Sequence, residues 1–142
     1  MNELVKSENE VVNVEQERNN EMTYCSIICK TNEERKYLFN VLEKADVLLN
    51  DVVGSEFELK DVYIHRYERI NEETGEVEPK VRIILFDTED KSYACGSFGI
   101  FNILRRMFEV FGTPNQWEQP LKVRVVKKDI KDNKKMLSLE LI

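Results

Sequence analysis

Apolar and polar residues alternate with period two along most of residues 57–142, and the alternation gives way once to a helical period. Residues 57–69 read as one long strand with an internal phase change. Phe57 and Leu59 share one face, whereas Val62 and Ile64 have the opposite parity. Successive strand side chains point to opposite faces, so one extra residue near Lys60-Asp61 would return all four to one side. A polar turn over residues 71–78, centred on Gly75, leads into a second strand over residues 80–87. That strand carries Val81, Ile83 and Leu85 on one face and Arg82, Ile84 and Phe86 on the other. Residues 91–95 make a short third strand. Ser97 then stands where a helix N-cap belongs, and Gly112 where a helix stops. Between them Ile100, Leu104, Met107 and Phe111 recur at helical spacing and predict one buried stripe. Residues 121–130 and 136–142 alternate again and predict a hairpin about the basic turn Lys131-Asp132-Asn133-Lys134.

Upstream, residues 24–30 form a short β-type run. Thr31 and Glu34 have the spacing of a capping box, in which each side chain satisfies a backbone donor at the other's position. Leu38, Val41, Leu42 and Ala45 give the helix that follows, residues 33–44, one apolar face. Residues 47–53 fit either strand or turn, and Gly54-Ser55 ends them. The order from residue 57 is strand, strand, strand, helix, strand, strand. That is the order of an OB-fold, a five-stranded Greek-key barrel whose face and loops commonly hold single strands or sugars. The expected architecture is therefore mainly β with helices, an OB-fold preceded by a short strand and a helix. Residues 23–142 form this single domain, and residues 1–22 a disordered acidic tail.

Composition narrows the function. The hydrophobic fraction of 42% can supply a modest core, and no apolar run approaches the roughly 18 residues of a membrane span. Cys25, Cys29 and Cys95 are odd in number and include no CxxC pair, with His65 the only histidine. Neither a disulfide framework nor a structural zinc site fits, and free thiols in a reducing cytosol do. The net charge of −6 is uneven. Residues 1–22 hold six Glu against Lys6 and Arg18, a net −4. Residues 121–142 hold seven Lys or Arg against three acids, a net +4. No nucleotide loop, catalytic triad or carboxylate pair stands out, so no enzyme, no cofactor and no metal is expected. The acidic turn Glu72, Glu73, Glu76 and Glu78 has no recognised metal-loop pattern.

Two sets of side chains suit a nucleic-acid strand. If Val62, Ile64, Val81, Ile83 and Leu85 face the barrel interior, then Tyr63, His65, Tyr67, Arg82 and Phe86 lie outside on neighbouring strands. Tyr93 joins them if its strand has the matching register. Exposed rings spaced by cations stack on bases and pair with phosphates. The same pattern is satisfied if these aromatics pack beneath the helix over residues 33–44 as a second small core. The other set is the hairpin, with Lys122, Arg124, Lys127, Lys128, Lys131, Lys134 and Lys135. A basic turn flanking an OB cleft is placed to hold phosphate, and lysines equally protect an exposed sheet edge. Arg105 and Arg106 read as a solvated helix face, Trp117 as a plug at the barrel's end, and Cys25 and Cys29, which share strand parity, as buried thiols.

The chain also resembles the small single-stranded-DNA-binding proteins of Firmicute bacteriophages and mobile elements. The residues most alike are the Asn71-Glu72-Glu73-Thr74-Gly75-Glu76 turn, the helix start Ser97-Phe98-Gly99-Ile100-Phe101-Asn102, and Gly112, Pro114, Trp117 and Pro120 in the following loop. The likeness covers residues 24–142. It implies an OB-fold that coats single-stranded DNA in replication or recombination without sequence preference. Cellular proteins of this kind usually end in an acidic tip that recruits partners, whereas this chain ends in a strand pattern. The expected partner is single-stranded DNA, with replication or recombination proteins beside it and no membrane. The expected binding residues are Tyr63, His65, Tyr67, Arg82, Phe86, Tyr93, Lys127, Lys128, Lys131, Lys134 and Lys135. The rival reading is a protein-interaction module for a polymerase or other replication partner, which the acidic net charge favours.

Overall fold

A computed structural model describes residues 21–142. The expected acidic tail lies outside the described residues except for Glu21 and Met22. The strands are β1 (Met22–Cys25), β2 (Val47–Leu48), β3 (Glu56–Ile70), β4 (Val77–Asp87), β5 (Ser92–Cys95), β6 (Leu121–Ile130) and β7 (Lys134–Leu141). The helices are α1 (Asn32–Glu43) and α2 (Phe98–Phe111).

β3 organises the sheet. Its pairing with β4 runs Leu59 to Asp87 and then Asp61 to Phe86, so Lys60 is the extra residue of a bulge. The bulge restores parity, and Phe57, Leu59, Val62 and Ile64 all enter one core. The first part of β3 pairs β6, from Glu56 opposite Arg124 to Leu59 opposite Leu121. Beyond the bulge β1 pairs β3, from Cys25 opposite Tyr63 to Met22 opposite Arg66. β1 is shorter than the run 24–30 predicted, because Ser26 serves the bulge instead. Its hydroxyl accepts from Val62 N (2.9 Å) and donates to Asp61 Oδ1 (2.8 Å).

The sheet order is β2-β5-β4-β3-β6-β7, with every pair antiparallel except β2 with β5. From β3 onward this is the OB-fold order, curled into a half-barrel with a seam between the β2–β5 edge and β7. α2 covers the open side. Ser97 caps it by accepting from Gly99 N (3.0 Å) and Ile100 N (3.3 Å). Ile100, Leu104 and Met107 bury against Leu59, Ile83, Leu85, Val123, Val125 and Leu139. Fully burying each such side chain contributes about 1.5–3 kcal/mol. Phe111 departs from the predicted stripe. It stays 42% exposed, at the helix end, where it borders an open groove with Leu139 and Leu141.

α1 covers part of the sheet's outer face. Val41 packs with Ile84 and Phe86, and Leu38, Leu42 and Ala45 complete this second core. Thr31 caps α1 by accepting from Glu34 N (3.1 Å). The Glu34 carboxylate reaches one residue past the expected box and accepts from Lys30 N (2.7 Å). Residues 47–53 divide into β2 and a 3-10 turn, Leu49–Val52, whose Leu49 is fully buried.

Candidate nucleic-acid interface

Register decides which of the nominated side chains reach solvent. Tyr93 lies opposite Leu85 and turns inward with it. Its ring stacks on Phe57 at 4.2 Å and 9°, and its hydroxyl donates to Asp87 Oδ2 (2.8 Å). Burial and that carboxylate push the phenol well above its ordinary pKa. Phe86 does lie on the outer face, as parity requires, but α1 covers it and leaves 2% exposed. Neither ring is open to a base, so both leave the candidate set. Tyr63 sits half under the same helix edge, and burial raises its pKa.

His65 and Tyr67 remain as a ladder on the outer face of β3. Their rings stack with centroids 4.8 Å apart and planes 27° apart. His65 Nε2 donates to the Glu21 carboxylate (2.7 Å), which places the last acid before β1 on the ladder. Across the sheet, Arg82 lies opposite His65 and Lys80 opposite Tyr67. The Arg82 guanidinium donates to the Leu42 carbonyl of α1, which fixes it beside the ladder.

The β6–β7 hairpin presents the other cations. Asp132 and Asn133 adopt φ of 64° and 60° in its turn, a left-handed conformation that these short polar residues tolerate. Lys127, Lys128, Lys131, Lys134 and Lys135 are all exposed. Lys135 pairs with Asp129 (2.8 Å), and the other four have no ion pair among the described residues. Arg124 is different. Glu56 and Glu140 hold its guanidinium at 2.7 and 2.8 Å, which raises its pKa and spends its charge on the sheet.

Two adjoining grooves run from the hairpin to Arg82. The first, of about 550 Å³, fills the seam between the β5–α2 junction and the hairpin. Lys127, Lys135, Ile130, Phe98 and Leu48 line it, and no acid does among the described residues. The second, of about 520 Å³, shares Leu48 and Ala94 with the first and extends to Lys44 and Arg82. Glu43, Asp46 and Asp51 also line it, so the seam is the more favourable phosphate path. The two grooves thus run from the hairpin to Arg82, which lies opposite His65.

Leu48 and Phe98 were not singled out from sequence as binding residues. Neither strand parity nor charge marks them. A Cβ at Gly99 would stand 2.3 Å from the Leu137 carbonyl oxygen. Arg105 lies on the exposed face of α2 as expected, 5.8 Å from the Phe101 ring. Trp117 packs on the core as the expected plug and donates Nε1–H to the Gly112 carbonyl (2.7 Å). Burial pushes the Cys25 and Cys95 thiols up to about 11. Among the described residues no cluster of His, Cys, Asp or Glu could hold a metal, and no helix is long and apolar enough to cross a membrane.

Comparison with protein families matches residues 17–142 to a family described as phage single-stranded DNA-binding protein. Comparisons with curated proteins and with solved structures give no match. The matched span takes in every element from β1 to β7, the hairpin and the ladder, and the chain belongs to the phage single-stranded DNA-binding protein family.

Proposed function

We propose that this protein binds single-stranded DNA without sequence preference, in replication or recombination of a phage or mobile element inside a bacterial cytoplasm. The observation that carries the reading is the exposed basic hairpin, whose Lys127 and Lys135 line the seam, joined by the adjoining groove to Arg82, which lies opposite His65 of the His65–Tyr67 ladder. The lysines neutralise phosphates and release counterions, a term indifferent to sequence. Rings accept any base, since every base has a flat π-face. Of the expected site residues, His65, Tyr67, Arg82, Lys127, Lys128, Lys131, Lys134 and Lys135 keep this role, with Tyr63 at its edge. The protein acts by binding and not by catalysis. Titration of oligo-dT, the matching duplex and an RNA of equal length, at low and then rising salt, tests it. Oligo-dT should bind more tightly than duplex and weaken steeply with salt. Absence of oligo-dT binding at low salt would refute the reading.

A further inference from the structure

We propose that the seam groove is a nucleobase site: one unstacked base lies on Phe98, and its flanking phosphates meet Lys127 and Lys135. The proposal rests on the single-strand reading above and assigns that strand a specific contact.

The groove's chemistry is that of a base and not of phosphate alone. Leu48 and Ile130 stay 59% and 42% exposed on its walls, and Phe98 and Met136 add apolar surface between them. Asn50 supplies a polar side chain at the same groove. A base has flat apolar faces and a hydrogen-bonding edge, which this mixture matches. Lone phosphates have no use for the apolar walls.

Phe98 is also held in place before any ligand arrives. Its ring packs edge-on against Phe101, with centroids 6.0 Å apart and planes at 78°. The first turn of α2 is fixed at one end by the Ser97 cap. At the other it is fixed by Gly99, which lies so close to β7 that a Cβ there would strike the Leu137 carbonyl oxygen and Met136. A rigid ring loses little freedom when a base stacks on it. The cations beside it are available. Lys127 has no ion pair among the described residues, and the Lys135–Asp129 pair is exposed enough for phosphate to replace the carboxylate. A duplex base can enter only by leaving its stack, so the site favours single strands.

The test compares oligo-dT with an abasic deoxyribose-phosphate strand of equal length. Both are titrated against wild type, Phe98→Ala and Phe98→Leu, with a thermal melt of each protein. Wild type should prefer oligo-dT. Both variants should lose about 5- to 150-fold in affinity for oligo-dT, the worth of one stacked base, and keep their affinity for the abasic strand. Phe98→Leu keeps most of the apolar volume that packs on Phe101 and the core, so it decides the matter if Phe98→Ala fails to fold. If wild type binds both strands and neither folded variant changes their ratio, the base site is wrong and the single-strand reading survives. If wild type binds neither strand at low salt, the single-strand reading itself falls and takes the base site with it.

Discussion

Replacing Lys127, Lys131 and Lys134 together with Ser isolates the electrostatic part of binding. All three are exposed and lack an ion pair among the described residues, so removing them breaks no contact that holds the hairpin. The fold should therefore change by no more than about 0.5 kcal/mol, as for surface substitutions generally. Each single-strand phosphate contact contributes a slope of about 0.7 to the dependence of log K on log salt. Three contacts amount to a slope of about 2. Between about 50 and 200 mM salt, wild type should then lose about 18-fold more affinity than the variant, equivalent to about 1.7 kcal/mol. Fluorescence titrations of labelled oligo-dT at four or more salt concentrations give the two slopes directly. Arg124→Ser is the internal control. Its guanidinium is already held by Glu56 and Glu140, so its loss should leave the slope nearly as in wild type. Equal slopes for wild type and the triple variant would refute the hairpin as a phosphate site and leave its lysines as protection for a sheet edge.

Three further outcomes follow from the packing. Phe86→Ala should destabilise the fold by about 3–5 kcal/mol through lost burial and a cavity beneath α1, while the folded fraction binds DNA as before; a loss of affinity without a loss of stability would return Phe86 to the interface. Gly99→Ala should destabilise the fold by about 1–3 kcal/mol through overpacking, seen as a lower melting temperature, because the new Cβ would stand 2.3 Å from the Leu137 carbonyl oxygen. Cys25 and Cys95 are held up to about 11 in the folded state against an ordinary 9.0, so their contribution is full below pH 9 and is lost as pH rises toward 11. Denaturation curves across that window should show the decline, and Cys25→Ala with Cys95→Ala should flatten it.

The bulge in β3 was legible because a phase change in an alternating pattern has one simple remedy. Phe57, Leu59, Val62 and Ile64 could share a core only if one residue were extra, and Lys60 is that residue. Phe86 and Tyr93 were not legible, for different reasons. Parity assigned Phe86 to the outer face correctly, but parity does not say what covers a face. The apolar side of α1 had to bury somewhere, and Ile84 and Phe86 are where it buries. Tyr93 belongs to a strand of four residues, too short for its own alternation to fix which side faces in. Its pairing with Leu85 fixes that, and pairing is a property of two strands. The seam groove was hidden more deeply. Leu48, the Cys95–Phe98 junction and Lys127 come from three separate stretches of chain and meet only when the barrel curls.

An acidic protein can hold a polyanion when its acids are engaged at home and its cations are not. Asp87 accepts from Glu89 N, Lys91 N and the Tyr93 hydroxyl. Asp46 accepts from Ser92, Asp61 from Ser26, and Glu56 and Glu140 from Arg124. These carboxylates sit against donors that offset much of their field. The hairpin is graded the other way. At its base Arg124 is neutralised by two glutamates, and toward its tip Lys127, Lys128, Lys131 and Lys134 have no ion pair among the described residues. Screening limits each exposed charge to about 8 Å at physiological salt. A phosphate at the hairpin tip therefore responds to those lysines and to nearby Asp129 and Asp132, and scarcely to the net −6 of the whole chain. The acidic total thus gives no reason to prefer a protein partner over DNA, because the charge that matters is the local one.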